Sequence, residues 1–202
     1  MLHTALLFIK QKLDQALMNR FGHEEGKTVL NHLIQQDGGV PEKNQNKMVL
    51  SLINLDHETN KAYSGHPYRL NDNNFAQTRP AILFNIDLLF TASFDHYEEA
   101  LKYLNATIAF FQTIPSFNAK TTPDLPKGIK ALNFEVVNFS FSETHNLWSA
   151  IGGKYQPSII YKVRHIQIQD NELQGVIPSV LGVAAQASPK EALSSDIRGV
   201  GA

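Results

Sequence analysis

The sequence predicts an α+β domain: a mixed or antiparallel β-sheet with two main helices packed on one face. Three observations predict it. Two long stretches place apolar residues at spacings of three and four, the mark of a helix with one buried side. Five shorter ones alternate apolar and polar residues with the period of a strand. Their order is helix, three strands, helix, strand, short helix, strand and tail, with no repeated βα unit, which argues against a doubly wound parallel sheet.

Leu6, Ile9, Leu13, Ala16, Leu17 and Phe21 make the first stripe, and Gly22 stops that helix. Residues 28–34 alternate weakly. Residues 47–56 do so clearly, with Met48, Leu50 and Leu52 set against Val49, Ile53 and Leu55, and Asp37-Gly38-Gly39 and Pro41 turn the chain between them. Residues 57–79 are rich in Asn, contain Gly65 and Pro67, and read as a long surface loop of the kind that carries function. Residues 81–93 read as a central strand, with Ile82, Phe84, Ile86, Leu88 and Phe90 on one face and Asn85 and Asp87 among the residues on the other.

Asp95 stands where the second helix needs its cap, with Glu98 three residues on as in a capping box. Tyr97, Leu101, Leu104, Ile108 and Phe111 predict its buried stripe, and Pro115 ends it. Residues 116–130, with Pro123, Pro126 and Gly128, read as a loop. Residues 132–141 read as a strand whose apolar phase slips between Val136 and Val137, which predicts a bulge there. Ser142 is positioned to cap a short helix ending at Ile151, with Gly152 beyond it. The last strand, residues 158–169, changes its apolar side from Ile159, Tyr161 and Val163 to Ile166 and Ile168, as a strand serving two packing environments would. Residues 171–202 have no stripe able to build a core, so the sequence divides into a domain at 1–170 and an extended arm at 171–202.

Composition narrows the function. The chain has 202 residues, 43% hydrophobic and 18% charged, which suits a packed domain and not a disordered one. A net charge of -1 argues against a general nucleic-acid binder, which needs clustered Lys and Arg. The absence of cysteine excludes disulfide scaffolds and thiol catalysis. The apolar start is cut off by Lys10 and Lys12, and the apolar stretch at 81–94 falls short of the ~20 residues a span requires, so neither a leader nor direct membrane insertion is expected.

Catalytic signatures are missing. None of the eight histidines falls in an H-E-x-x-H arrangement, and His23-Glu24-Glu25 lacks a second ligand at usable spacing. No nucleophile elbow or phosphate-binding loop is present. The expectation is no catalytic residue, no metal and no cofactor. An enzymatic alternative, a small hydrolase or ligand-binding domain, would use the loop 57–79 by joining His57 or His66 to Asp56 or Asp72. Lys154, Tyr155, Lys162 and Arg164 form a basic and aromatic cluster, read either as solvated strand ends or as partner contacts. Trp148, the sole tryptophan, reads as core or as binding surface.

The run from Leu147-Trp148 through Gly152, Lys154-Tyr155 and Pro157-Ser158 to Tyr161-Lys162-Val163-Arg164 resembles the cap, or tail-terminator, proteins of contractile injection systems of the virulence-cassette and antifeeding-prophage type. Residues 80–90, Tyr97 to Lys102, Phe110-Phe111-Gln112 and residues 49–58 are similar to the same family's strands and helix. The resemblance implies a tail-terminator-like fold and a structural, non-enzymatic part. It implies a hexameric ring on the baseplate-distal end of the inner tube that binds the last sheath ring, fixes length and anchors the sheath. Leu147, Trp148, Gly152, Pro157 and Tyr161 would then be structural. Assembly would take place in the bacterial cytoplasm, before the particle is released or anchored to a membrane, with tube and sheath proteins as partners. Some relatives carry a further C-terminal domain, whose role would be absent here or supplied by another protein. Val176, Ile177, Val180 and Leu181 in the arm are suited to pairing with a neighbouring subunit or the sheath by strand addition, with Lys162 and Arg164 steering acidic partner surface.

Overall fold

The computed structural model describes residues 1–22, 25–59, 68–69, 74–78, 82–168 and 173–178. Three helices, α1 (Leu2–Phe21), α2 (Tyr97–Thr113) and α3 (Phe141–Ile151), accompany nine strands: β1 (Thr28–Leu30), β2 (Lys47–His57), β3 (Tyr68–Arg69), β4 (Asn74–Thr78), β5 (Ile82–Ser93), β6 (Ser116–Asn118), β7 (Ala131–Val137), β8 (Ser158–Ile168) and β9 (Leu173–Pro178). Six of them form one sheet in the order β1-β2-β5-β8-β7-β6, with β1 parallel to β2 and the other pairs antiparallel. This is the α+β architecture with a mixed sheet that the sequence predicts.

The sheet separates two cores. Alternate residues of its strands, among them Met48, Leu50, Leu88, Phe90, Leu132, Phe134, Tyr161 and Val163, meet α1 and α2 in the larger one. The residues between them, Val49, Leu89 and Ile160, meet Trp148 and Leu147 of α3 in the smaller one. The prediction that the two main helices pack on one face therefore holds for α1 and α2, and the short α3 covers the opposite face. At the centre of the larger core Phe90 is fully buried, its ring 5.1 Å from Phe111 and 5.8 Å from Tyr161.

Long-range polar contacts fix the joints. Asp14 of α1, 8% exposed, accepts from the Thr28 backbone N–H at 2.8 Å and so ties the helix to the first strand. Gly26 lies so close to that carboxylate that a Cβ there would collide with it. Asn46, at φ 54°, exchanges hydrogen bonds with Asp95 across 49 residues: its Nδ2 donates to Asp95 Oδ2 at 2.9 Å, and the Asp95 N–H donates to Asn46 Oδ1 at 3.0 Å. Asp95 is thereby taken away from capping α2. His96 holds the cap position without a side-chain bond, so the predicted capping box is overturned.

Helix phases and bulges differ from the sequence reading in ways packing explains. The buried stripe of α2 is Ala100, Tyr103, Thr107 and Phe111, while Tyr97 and Leu101 stay 66% and 44% exposed. Strand β7 pairs with β8 in one unbroken register from Asn133 to Val137, so no bulge lies at Val136. Val137 instead turns into the core under α3, and Val136 is left exposed. The bulges occur at Ile53 of β2 and at Arg164–His165 of β8, where two residues stand opposite Asn85. The second corrects the reading of β8. The extra residue restores the phase, and Ile159, Tyr161, Val163 and Ile166 all contribute to the same core.

The cap of helix α3 lies two residues before the predicted one. Ser140, not Ser142, is the N-cap and forms a capping box with Glu143, while Gly152 closes the helix at φ 78°, a conformation that favours glycine. The hydroxyl and backbone N–H of Ser140, each 2.7 Å from Glu143 Oε2, hold the Glu143 carboxyl below the usual glutamate range. The folded value lies under the unfolded one, so this contribution is present above about pH 4.3 and fades as the pH falls through the folded value. We expect E143Q to remove that acid dependence of α3 helicity, checked by circular dichroism against the wild-type chain between pH 6 and 2.

The connection between β2 and β5 is not a plain loop. It holds β3 and β4, which join β9 in a three-stranded antiparallel sheet in the order β3-β4-β9. Between the pair Ile82 with Ile168 and the pair Thr78 with Leu173, one strand advances four residues and the other five. Strand β9 places the backbone of Val176 and Ile177 opposite Ala76 and Phe75 of the same chain; Val180 and Leu181 lie outside the described residues.

Candidate partner-binding surface

The basic and aromatic cluster separates into three situations. Lys162 crosses the sheet to carboxylates of its own chain, with Nζ 3.1 Å from Asp56 Oδ2 and 3.6 Å from Asp87 Oδ1. Asn54 bridges the same two acids, its Nδ2 at 3.0 Å from Asp56 Oδ1 and 3.1 Å from Asp87 Oδ2. The hydrogen bond to Asp56 and the charges of Asp87 and Asp56 outweigh burial and raise the Lys162 pKa. Arg164 Nε donates to Glu135 Oε2 at 2.7 Å. Both cations that were expected to steer a partner are therefore engaged within the subunit. Lys154 and Tyr155 remain exposed on the turn after α3.

Around that turn the surface is apolar and concave. Trp148 is buried at 6% exposure, and its ring meets Tyr155 edge-on with centroids 5.6 Å apart. Phe139, Phe141, His145, Trp148, Ser149 and Tyr155 line a cavity of about 630 Å³. Phe141 is 97% exposed at the first turn of α3, and the indole Nε1 of Trp148 is buried without an acceptor. A large exposed aromatic beside an unsatisfied donor marks a surface with something to gain from a partner. Sequence reasoning offered Trp148 both roles, and it fills both: its body packs in the smaller core and its edge lines the cavity. Phe139 and Phe141 were missed, because they fall in a segment read as strand. Of the remaining residues of the signature, Leu147 packs in the smaller core, Tyr161 in the larger one, Gly152 ends α3, and the Pro157 carbonyl accepts from the Ala92 N–H at 2.9 Å.

The enzymatic alternative finds no assembled pair among the described residues. Asp56 is occupied by Lys162 and Asn54, and the His57 ring packs on Phe84 at 5.7 Å. His66 and Asp72 lie outside the described residues. Among the described residues, no three His, Asp or Glu side chains are grouped to hold a metal ion, and no helix is long and apolar enough to cross a membrane.

Comparison with known proteins agrees with the fold. Residues 8–181 match the Pvc16 N-terminal domain family. Among curated protein sequences none matches the chain. The PVC sheath/tube terminator of an extracellular contractile injection system, solved in its extended state, superposes with a TM-score of 0.59 at 12% identity, covering 91% of this chain. The tube-terminating cap of the anti-feeding prophage superposes with a TM-score of 0.54 at 12% identity, covering 94% of this chain. The chain spans 64% of the length of each. With its sheet, its helices and nearly its whole described length accounted for by one domain, this chain belongs to the Pvc16 N-terminal domain family and shares the fold of contractile-particle terminators.

Proposed function

We propose that the protein is a structural cap, a tail terminator that forms a hexameric ring on the baseplate-distal end of the tube and sheath of a contractile injection system. There it fixes particle length and anchors the sheath, working without catalysis or cofactor. The observation that carries this reading is the family match over residues 8–181, joined to a fold shared with two proteins that are themselves a sheath/tube terminator and a tube-terminating cap. The occupied state of Asp56 and the exposed aromatic surface beside α3 support a binding role over a hydrolytic one. Its partners are further copies of itself and the tube and sheath proteins, without nucleic acid or membrane insertion. Assembly occurs in the bacterial cytoplasm, and the chain then stays with the particle whether that is released or anchored.

The test is co-expression with the tube and sheath proteins of the same particle. Particles of uniform length bearing a ring of six copies are expected, and particles of irregular length when the chain is omitted. Normal particles made without it would overturn the reading. Within this reading residues 171–202 act as an arm that pairs across a subunit boundary through the edge of β9 not paired with β4, with Val176, Ile177, Val180 and Leu181 as its apolar contacts. Deleting the residues after Gln174 removes most of β9 and none of the six-stranded sheet. The truncated chain should therefore unfold at nearly the wild-type denaturant concentration, yet give detached sheath or particles of uneven length by electron microscopy.

A further inference from the structure

We propose that the ring closes by a head-to-tail contact in which the first turns of α2 on one copy enter the aromatic cavity beside α3 on the next. This rests on the ring reading above and assigns the surfaces that make it. A cyclic ring needs two different patches on each subunit, placed so that one copy's first patch meets its neighbour's second. The described residues supply such a pair. Tyr97 and Leu101, four residues apart on one side of α2, are 66% and 44% exposed. Phe141 and Tyr155, 97% and 66% exposed, flank the cavity of about 630 Å³ floored by Trp148, a volume within the range of ligand-sized sites.

Their placement suits a ring. Helix α2 belongs to the core on one face of the sheet and α3 to the core on the other. Both patches lie at the same end of the strands: α2 begins just after β5 ends, the turn after α3 leads into the start of β8, and Thr91 of β5 pairs with Ser158 of β8. Moving a second copy across the plane of the sheet therefore brings one patch toward the other at one level, with no self-complementary arrangement required.

The chemistry also matches. The phenol of Tyr97 offers an aromatic ring for an apolar cavity and a hydroxyl that can stay at its wet rim. Glu98 and Glu99 stand exposed beside Tyr97, while Lys154 stands exposed next to Gly153 and Tyr155 of the cavity. On the α2 side Lys102 and His96 are also exposed, and Glu143 on α3 is turned to its own cap. Opposite charge at the rim would set orientation and approach, and the aromatic centre would supply the affinity.

The experiment mixes two defective full-length chains. Y97S/L101S disables one patch and F141S/Y155S the other, and every substituted side chain is exposed, so each variant should keep the wild-type circular dichroism spectrum. By native mass spectrometry, wild-type chain mixed with its tube protein should give six-copy rings. Each variant alone should give monomers, with subunit association weakened about 30-fold or more. The two variants together should give a dimer that cannot grow, because only one intact contact remains between them. Rings from wild type and from either variant alone would overturn this contact while leaving the cap reading standing, as would a mixture of the two with no dimer. A wild-type chain that forms no ring even on tube would overturn both. E98K/E99K should weaken the ring about tenfold, and adding K154E should restore part of it; the absence of any rescue would overturn the charge pairing.

Discussion

Replacing Phe90 by alanine should cost about 3–5 kcal/mol of stability, the largest loss expected from any single change in this chain. Phe90 is fully buried on β5, one of the two central strands. Its ring joins Phe111 of α2 to Tyr161 of β8, at 5.1 and 5.8 Å, and those two rings are 4.8 Å apart. Removing it leaves a cavity between a strand, its neighbour and the covering helix, and the two strands cannot close inward without breaking the pairing on their other sides. With total stabilities of about 5–15 kcal/mol, a domain of this kind would stand near its unfolding threshold. Chemical denaturation followed by circular dichroism should show a midpoint shifted far downward. Retention of the wild-type midpoint would mean that the aromatic cluster is not packed as described.

K162M should cost about 2 kcal/mol. The lysine neutralises Asp87, whose side chain is 10% exposed, and Asp56, which is 44% exposed and can turn to water. Without Lys162, Asp87 keeps a hydrogen bond from Asn54 but no opposite charge, and burying an unpaired carboxylate is costly. The value is set below that for a fully buried pair because Lys162 is itself 26% exposed and screened by water. D87N in the same chain should recover much of the loss, whereas D56N should recover little. The pH dependence follows from the raised Lys162 pKa. The folded value exceeds the unfolded one, so the stabilisation is complete below about pH 10.4 and disappears as the pH rises through the folded value. K162M should therefore flatten the alkaline limb of a stability profile and leave its shape near neutrality unchanged.

What the sequence made legible was whatever depends on neighbours in the chain. The ends of α1 and α2, the alternation of β2, β5 and β8 and the stop at Gly152 follow from period and local backbone preference. What stayed hidden depends on groups far along the chain. Asp95 carries a local signal for a helix cap, yet Asn46 takes it over from 49 residues away. The phase of α2 was misplaced because Tyr97 and Leu101 satisfy the apolar period and nevertheless face outward. The change of side in β8 was visible, but a bulge and a change of environment leave the same trace in one strand, and only the pairing with β5 distinguishes them. The surface beside α3 was half legible. Trp148 and Tyr155 drew notice by their side chains, whereas the exposure of Phe141 depends on a helix that begins two residues earlier than its serines suggested. Nothing in the local sequence could reveal that Lys162 pairs with an acid 106 positions away.

The strand order has a consequence for the chain as it is synthesised. Strand β8 lies between β5 and β7, yet it is the last of the six to leave the ribosome. Until residues 158–168 emerge, β5 has a partner on one edge only, and Phe90 and Phe111 lack the Tyr161 ring that completes their cluster. A nascent chain halted before that point would display an open apolar strand to its neighbours on the polysome, a template for aggregation. Folding of this sheet is therefore a late, nearly single event in translation, and premature termination anywhere before Ile168 should yield insoluble product rather than a smaller folded domain.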